Sequence, residues 1–143
     1  MLADNLRNVR ETIASALAKR IGEKETGDKV CLVAVTKNHP AEVVTEIAAL
    51  GVENIGENRV QEAREKQAQL GHPGKWHLIG HLQTNKAKQA VESFDLIESA
   101  DSEHLLRALE KEAAKQAKVM DVLLQINIAR EPQKTGLSPS ASV

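Results

Sequence analysis

Apolar side chains near the N-terminus recur at a helical spacing. They lie three or four positions apart, at Leu6, Val9, Ile13, Leu17 and Ile21, and this spacing places them on one face of a helix. Gly22 and the polar residues up to Asp28 interrupt the run. The pattern predicts an amphipathic helix over residues 3–21, set apart from the segments that follow.

From residue 30 onward, short apolar segments alternate with longer segments of helical periodicity. The short segments are residues 30–35, 52–55, 76–79, 94–97 and 120–128. Because they show no regular polar alternation, they are predicted to be strands covered on both faces, as in a parallel sheet packed with helices. Asp101 or Ser102 is expected to cap the last helix, which runs to about residue 118. The polar tail, residues 129–143, is predicted to be loop.

Two α/β architectures fit this alternation. One is an open, doubly wound sheet, and the other is part of a (β/α)8 barrel, which usually needs about 250 residues. Hydrophobic periodicity does not distinguish them. Both place functional side chains at the carboxyl ends of the strands.

Lys37, directly after the first predicted strand, is the sharpest candidate at these strand ends. An amine at the mouth of an apolar sheet is expected to be partly desolvated, which favours the neutral form that attacks an aldehyde. The alternative is a solvated lysine in a loop between strand and helix, and the pattern alone favours that alternative.

Three further residues are candidates, each with a structural alternative. Asn58 and Asn127 are suited to orient a ring or a phosphate oxygen, but they serve equally as a helix cap and as a strand hydrogen-bonding group. His77, inside the strand-like run WHLIG, is as consistent with a hydrogen-bonded core histidine as with a site residue. Cys31 is expected in the core, and the segment REKQAQ (residues 64–69) on an exposed helix surface.

Composition excludes several classes of function. A formal net charge of -1 predicts no general attraction to nucleic acid or to an anionic membrane. Trp76 and Phe94 are too few aromatic residues for a base-stacking platform. No metal-ligand cluster, dinucleotide fingerprint or phosphate-binding loop motif is present, and no apolar run is long enough for a membrane span or a signal peptide. A cytoplasmic protein without a metal site is the expectation.

Four motifs resemble one known family, the pyridoxal phosphate homeostasis proteins (YggS/PROSC family). The motifs are LVAVTKNHP, IGENRVQEAREK, KWHLIGHLQTNK and LLQINIAREPQKTGL, in the family's order. The resemblance implies a (β/α)8 TIM-barrel type fold, similar to the N-terminal domain of alanine racemases, with a preceding helix. It implies that Lys37 carries pyridoxal 5'-phosphate as a Schiff base, with Asn58, His77 and Asn127 as further cofactor-binding residues. It also implies a carrier role in vitamin B6 and amino-acid homeostasis, without established catalysis, with enzymes that require the cofactor as partners.

The family's proteins are longer than this chain of 143 residues. The resemblance therefore implies one domain, residues 1–143, containing about the first five βα units and the N-terminal helix, without the later phosphate-binding loops. Open sheet edges predict self-association. The missing phosphate-binding loops predict weaker retention of the cofactor. Two alternatives remain, an inactive structural fragment and a racemase-like enzyme. The enzyme would need His77 or His81 in place of a tyrosine, because the chain has none.

Overall fold

The computed structural model describes residues 1–20 and 29–141, in which a parallel sheet alternates with helices along the chain. The helices are α1 (Leu2–Ala18), α2 (Ala41–Ala49), α3 (Val60–Leu70), α4 (Ala87–Ser93) and α5 (Glu103–Lys115). The strands are β1 (Val33–Val35), β2 (Asn54–Glu57), β3 (Lys75–Leu78), β4 (Leu96–Ala100) and β5 (Asp121–Leu124). Short 3-10 helices cover Thr84–Lys86 and Pro139–Ala141.

The order of the strands decides between the two architectures. The sheet runs β1-β2-β3-β4-β5, and every neighbouring pair is parallel. A doubly wound sheet reverses its order at a switch point, whereas a barrel adds each strand beside the previous one. The five βα units are therefore of TIM-barrel type, and the predicted fold class is confirmed.

Several predicted boundaries differ from the structure. The first strand begins at Val33, so Cys31 precedes it and is exposed, and the prediction that it lies in the core is wrong. The fourth strand begins two residues later than predicted. The fifth ends at Leu124, since the chain beyond it turns back to bridge Ile126 with Leu137. The predicted helix end at Ile21 and the segment from Gly22 to Asp28 lie outside the described residues.

The hydrophobic core lies between the sheet and helices α2–α5. Trp76 and Phe94 are its largest members, and both are fully buried. Ile55, Leu78 and Ile97 contribute from the strands, because alternate residues of a strand share one face. The facing helix residues are Val44, Ile47, Ala63, Ala90, Val91, Leu105 and Leu109. Ser102 caps α5 by accepting a hydrogen bond from the Leu105 N–H, as predicted.

Helix α1 docks on the outside of this assembly. No residue of α1 is buried, but Leu2 and Leu6 pack against the core cluster. The Arg10 guanidinium donates hydrogen bonds of 3.1 and 3.0 Å to the carbonyls of Leu50 and Gly51, just beyond the end of α2. These carbonyls lack helical partners, so a cation there is favourable.

The opposite face of the sheet carries apolar side chains without a helical cover. Val35 near one edge of the sheet is 47% exposed, and Leu123 near the other edge is 51% exposed. In a closed barrel this face would be the packed interior. Within the described residues, β1 and β5 each pair with one neighbour and leave an outer edge open.

Asp95 ties the start of β3 to β4. Its Oδ2 accepts hydrogen bonds from the Trp76 N–H at 2.8 Å and from His72 Nε2 at 3.1 Å. Burial raises the pKa of Asp95, but the hydrogen bonds from Trp76 and His72 outweigh burial and hold that pKa below its ordinary value. The ionised carboxylate is therefore the form that stabilises the fold.

Replacing Asp95 with alanine is expected to lower the free energy of unfolding near neutral pH by up to about 1 kcal/mol, since solvent screens this half-exposed group. Because the pKa of Asp95 is lowered in the folded state, its ionised carboxylate contributes fully to stability above the ordinary carboxyl pKa of about 3.9. That contribution is lost as the pH falls through the pKa of the folded state. The difference between the wild type and Asp95→Ala should therefore vanish in acid. Urea unfolding followed by Trp76 fluorescence measures it, with exposed Asp121→Ala as the control. A difference in the free energy of unfolding that does not change with pH would contradict this account.

Candidate functional site

Lys37 lies in the tight turn that follows β1. Its side chain is exposed, so the expected partial desolvation is wrong for the chain as described. Asn38 beside it has a φ of 62°, a left-handed conformation that asparagine tolerates better than most residues. Among the residues that the structure describes, no hydrogen-bond or ion-pair partner is recorded for the Lys37 amine. The amine is therefore accessible to a ligand at the carboxyl end of the sheet.

A buried polar cluster underlies this turn on its helix side. We name Thr36, Glu57, Glu62 and Lys66 the turn cluster. Lys66 Nζ donates three hydrogen bonds: to the Thr36 carbonyl at 2.7 Å, to Glu57 Oε1 at 2.6 Å and to Glu62 Oε1 at 3.0 Å. The Thr36 hydroxyl also donates to Glu57 Oε1. Lys66 is 4% exposed, and Thr36 and Glu57 are fully buried.

Glu62 reaches the turn from the other side of Lys37. Its Oε1 accepts a hydrogen bond of 2.7 Å from the backbone N–H of Asn38. Burial raises the pKa of Glu62, but the hydrogen bonds from Lys66 and Asn38, with the charges of Lys66 and Arg59, keep that pKa below its ordinary value. The turn cluster therefore holds the residues on both sides of Lys37 with charged groups.

The sequence pattern does not predict this cluster. The prediction that REKQAQ lies on an exposed helix surface is wrong for Lys66. One signal was available, since Lys66 continues the three-residue spacing of Val60 and Ala63, the other buried residues of α3. A lysine is normally solvated, so its burial depends on partners in β2 and in the turn after β1 that no local pattern reveals.

Asn58 follows β2 and borders an open cleft at the carboxyl ends of β2 and β3. The cleft has a volume of about 330 Å³. Its lining includes Arg59, Gln61, His81, Gln83 and Lys86. The backbone of Asn58 lies close to Gly80, which follows β3. A Cβ added at Gly80 would lie only 2.3 Å from the backbone oxygen of Asn58. His81 Nδ1 lies 2.9 Å from Asp101 Oδ2, which links this rim to the end of β4.

His77 lies within β3, and both of its ring nitrogens are engaged. Nδ1 lies 2.7 Å from Glu98 Oε1, and Nε2 lies 3.0 Å from Asn54 Oδ1. The ring thus links β2, β3 and β4 across the sheet. This is the hydrogen-bonded core histidine that the sequence left open, and its assignment to a cofactor stays a prediction.

Asn127 lies beyond β5, at the far side of the sheet from Lys37. Its Nδ2 donates to the Glu131 carbonyl at 2.9 Å, and its Oδ1 accepts from the Glu131 N–H at 3.2 Å. The amide therefore closes the loop that follows β5. The structure brings Lys37 and Asn58 to the ends of adjacent strands and leaves Asn127 four strands away, so its cofactor role also stays a prediction.

Residues 1–20 and 29–141 contain neither a candidate metal site nor a candidate membrane-spanning helix. Those ranges contain no group of three or more histidine, cysteine or acidic side chains placed to hold a metal ion. They also contain no helix of the length and apolarity that crossing a membrane requires.

Sequential parallel strands, outer helices and polar groups at the strand ends define a protein of the (β/α) barrel class. Comparison with family models assigns residues 2–143 to the model described as alanine racemase, N-terminal domain. The chain belongs to that family.

Three similar proteins illustrate the relationship. The Pasteurella multocida pyridoxal phosphate homeostasis protein is 34% identical over 97% of this chain and 60% of its own length. The Aquifex aeolicus protein of the same name is 38% identical over 95% of this chain and 59% of its own length. The structure of PipY from Synechococcus elongatus with pyridoxal phosphate bound superposes with a TM-score of 0.75, at 35% identity, over 96% of this chain and 58% of that one. This chain therefore spans about three-fifths of the length of these relatives.

Proposed function

We propose that this chain binds pyridoxal 5'-phosphate through Lys37 as a Schiff base and takes part in vitamin B6 and amino-acid homeostasis. The observation that carries the proposal is the accessible amine of Lys37, held in an ordered turn at the carboxyl end of β1. Support comes from PipY, a relative whose structure has the cofactor bound, and from the names of the curated relatives.

The chemistry of this rim suits the cofactor. Pyridoxal phosphate supplies an aldehyde that condenses with a primary amine. The Lys37 nitrogen would replace the aldehyde oxygen, which leaves as water. Asn58, at the end of the adjacent strand, offers an amide that donates to and accepts from polar groups of a ligand. His77 and Asn127 are further proposed contacts, although their side chains already have partners within the fold.

The proposed role is binding and delivery, without turnover. The relatives are named for homeostasis rather than for a reaction. A racemase needs an acid or base on each face of the bound substrate. The chain contains no tyrosine, His77 is held by Glu98 and Asn54, and His81 contacts Asp101.

The remaining features of the proposal concern the context of the chain. Residues 1–143 act as one domain, the N-terminal portion of a cofactor-binding barrel, in the cytoplasm. Enzymes that require pyridoxal phosphate are the proposed recipients. Copies of the chain are expected to associate through the open edges of β1 and β5.

Lys37→Arg is expected to abolish covalent capture of the cofactor, because a guanidinium stays protonated and does not condense with the aldehyde. The purified chain is mixed with pyridoxal phosphate at mildly alkaline pH and reduced with borohydride, and peptide mass spectrometry then locates the adduct. The wild type should carry the adduct on Lys37 at substoichiometric cofactor.

Lys88→Arg is the matched control, since Lys88 is an exposed lysine on α4 that does not line the cleft beside Asn58. It should capture the cofactor as the wild type does. Equal labelling of many lysines in the wild type, or no adduct at all, would overturn the proposal and favour an inactive structural fragment.

A further inference from the structure

The turn that carries Lys37 is held from below by charged side chains, which is unusual for an exposed loop. Loops between elements generally run over the protein surface and are more mobile than the elements that they connect. Here the Thr36 carbonyl accepts from both the His39 N–H, at 3.0 Å, and Lys66 Nζ, at 2.7 Å. The residue on the other side of Lys37 donates its N–H to Glu62.

Lys66 joins these contacts into one unit. All three of its N–H groups are used, one on the turn itself and one on each carboxylate. Glu57 comes from β2, and Glu62 and Lys66 come from adjacent turns of α3. A shift of α3 or loss of the Lys66 charge would therefore release the backbone on both sides of Lys37 together.

The energetic balance argues that this cluster does more than stabilise the fold. Buried ion pairs contribute little net stability, because the charges lose their hydration, and apolar residues of similar volume often serve as well. Glu57 Oε2 is buried and, within the described residues, accepts no hydrogen bond. The specific effect of the cluster is geometric, since charge-assisted hydrogen bonds fix the two peptide groups that flank one lysine.

We propose that Lys66, with Glu57 and Glu62, positions Lys37 for covalent capture of an aldehyde ligand by clamping the Thr36–Asn38 turn. This inference rests on the proposed function of Lys37. Lys66 and Glu62 are positioning residues, because they hold the backbone of the turn and only Lys37 reacts with the ligand. Without these contacts, the turn would adopt the conformation that reacts with the aldehyde only part of the time. The apparent affinity for the aldehyde ligand would fall in proportion to that fraction.

Glu62→Ala is the primary test variant, since Glu62 lies at the edge of the cluster and its loss leaves the Lys66–Glu57 pair intact. Glu65→Ala is its matched control, a glutamate on the same helix whose carboxylate contacts only Gln61 among the recorded hydrogen bonds. Lys66→Met is the second variant. Lys118→Met is its control, because Lys118 donates to two backbone carbonyls, of Val91 and Phe94, far from the turn.

Two measurements are made on each folded variant. Without cofactor, hydrogen exchange of the Asn38 amide should accelerate about tenfold in Glu62→Ala and Lys66→Met, through the lost charge-assisted hydrogen bonds, and stay unchanged in both controls. With cofactor, borohydride-trapped adduct on Lys37 should require about tenfold more pyridoxal phosphate in the two test variants only.

The outcomes separate the two proposals. If the wild type forms the adduct and Glu62→Ala and Lys66→Met form it at the same cofactor concentration, the proposed clamp is overturned. The proposed function of Lys37 is then unaffected. Unchanged exchange of the Asn38 amide would also overturn the clamp. Failure of the wild type itself to form the adduct would overturn the proposed function, and the role of the clamp in capture with it.

Discussion

Replacing Phe94 with alanine is expected to lower the free energy of unfolding by about 3–5 kcal/mol. Phe94, between α4 and β4 along the chain, is fully buried and belongs to the hydrophobic core cluster. Truncation removes the transfer free energy of the ring and leaves a cavity, and close packing limits the collapse of the neighbouring side chains. For a domain of this size that loss is a large fraction of total stability.

The single tryptophan provides the measurement. Trp76 is fully buried in the native state, so its emission shifts when the chain unfolds in urea. The midpoint should fall sharply in Phe94→Ala, with a similar slope if unfolding stays two-state. Val119→Ala is the control, because Val119 is 89% exposed and its truncation should change stability by less than about 0.5 kcal/mol. A midpoint for Phe94→Ala close to that of the control would show that this part of the core is not packed as described.

The buried pair of Glu57 and Lys66 is expected to show strong energetic coupling. Lys66→Met alone should lower the free energy of unfolding by roughly 3–5 kcal/mol, because it leaves the buried Glu57 carboxylate without its cation. Glu57→Gln alone should cost less, since Lys66 keeps Glu62 and the Thr36 carbonyl as partners. The double variant removes both charges and should be more stable than the sum of the single effects implies.

A double-mutant cycle measures this coupling, which we expect at roughly 1–3 kcal/mol in favour of the pair. The exposed pair of Arg107 and Glu103 on α5 is the comparison, since both side chains are mostly in solvent and such pairs couple by less than about 0.5 kcal/mol. Equal coupling in the two pairs would mean that water reaches the turn cluster, contrary to its burial.

The alternation of strands and helices was predictable because it depends on local patterns. Each βα unit shows its own apolar strand and its own helical stripe, and Ser102 has the side chain that a helix cap needs. The order of the strands was not available from periodicity, since an open sheet and a barrel share the same units. The resemblance to a known family supplied that step, and the sequential order of the five strands in the sheet confirms it.

The interior polar contacts were beyond sequence reasoning for a different reason. His77 finds Glu98 and Asn54 on neighbouring strands, and Lys66 finds partners in the turn after β1, on β2 and on its own helix. The burial of a polar side chain depends on which distant residues meet it, and no local window contains that information. Lys37 shows the converse case, since its position after a strand and its exposure, as the solvated loop lysine that the pattern favours, both follow from the sequence.

The sequential order of the strands has a consequence for how the chain folds. Each strand pairs with the one that precedes it in the sequence, so every sheet contact spans about one βα unit. The loop that closes when two such strands pair is short relative to the whole chain, which limits the loop entropy that is lost. Folding can therefore begin in the most enclosed units, around β3, and spread outward by adding one neighbour at a time, as in repeat proteins.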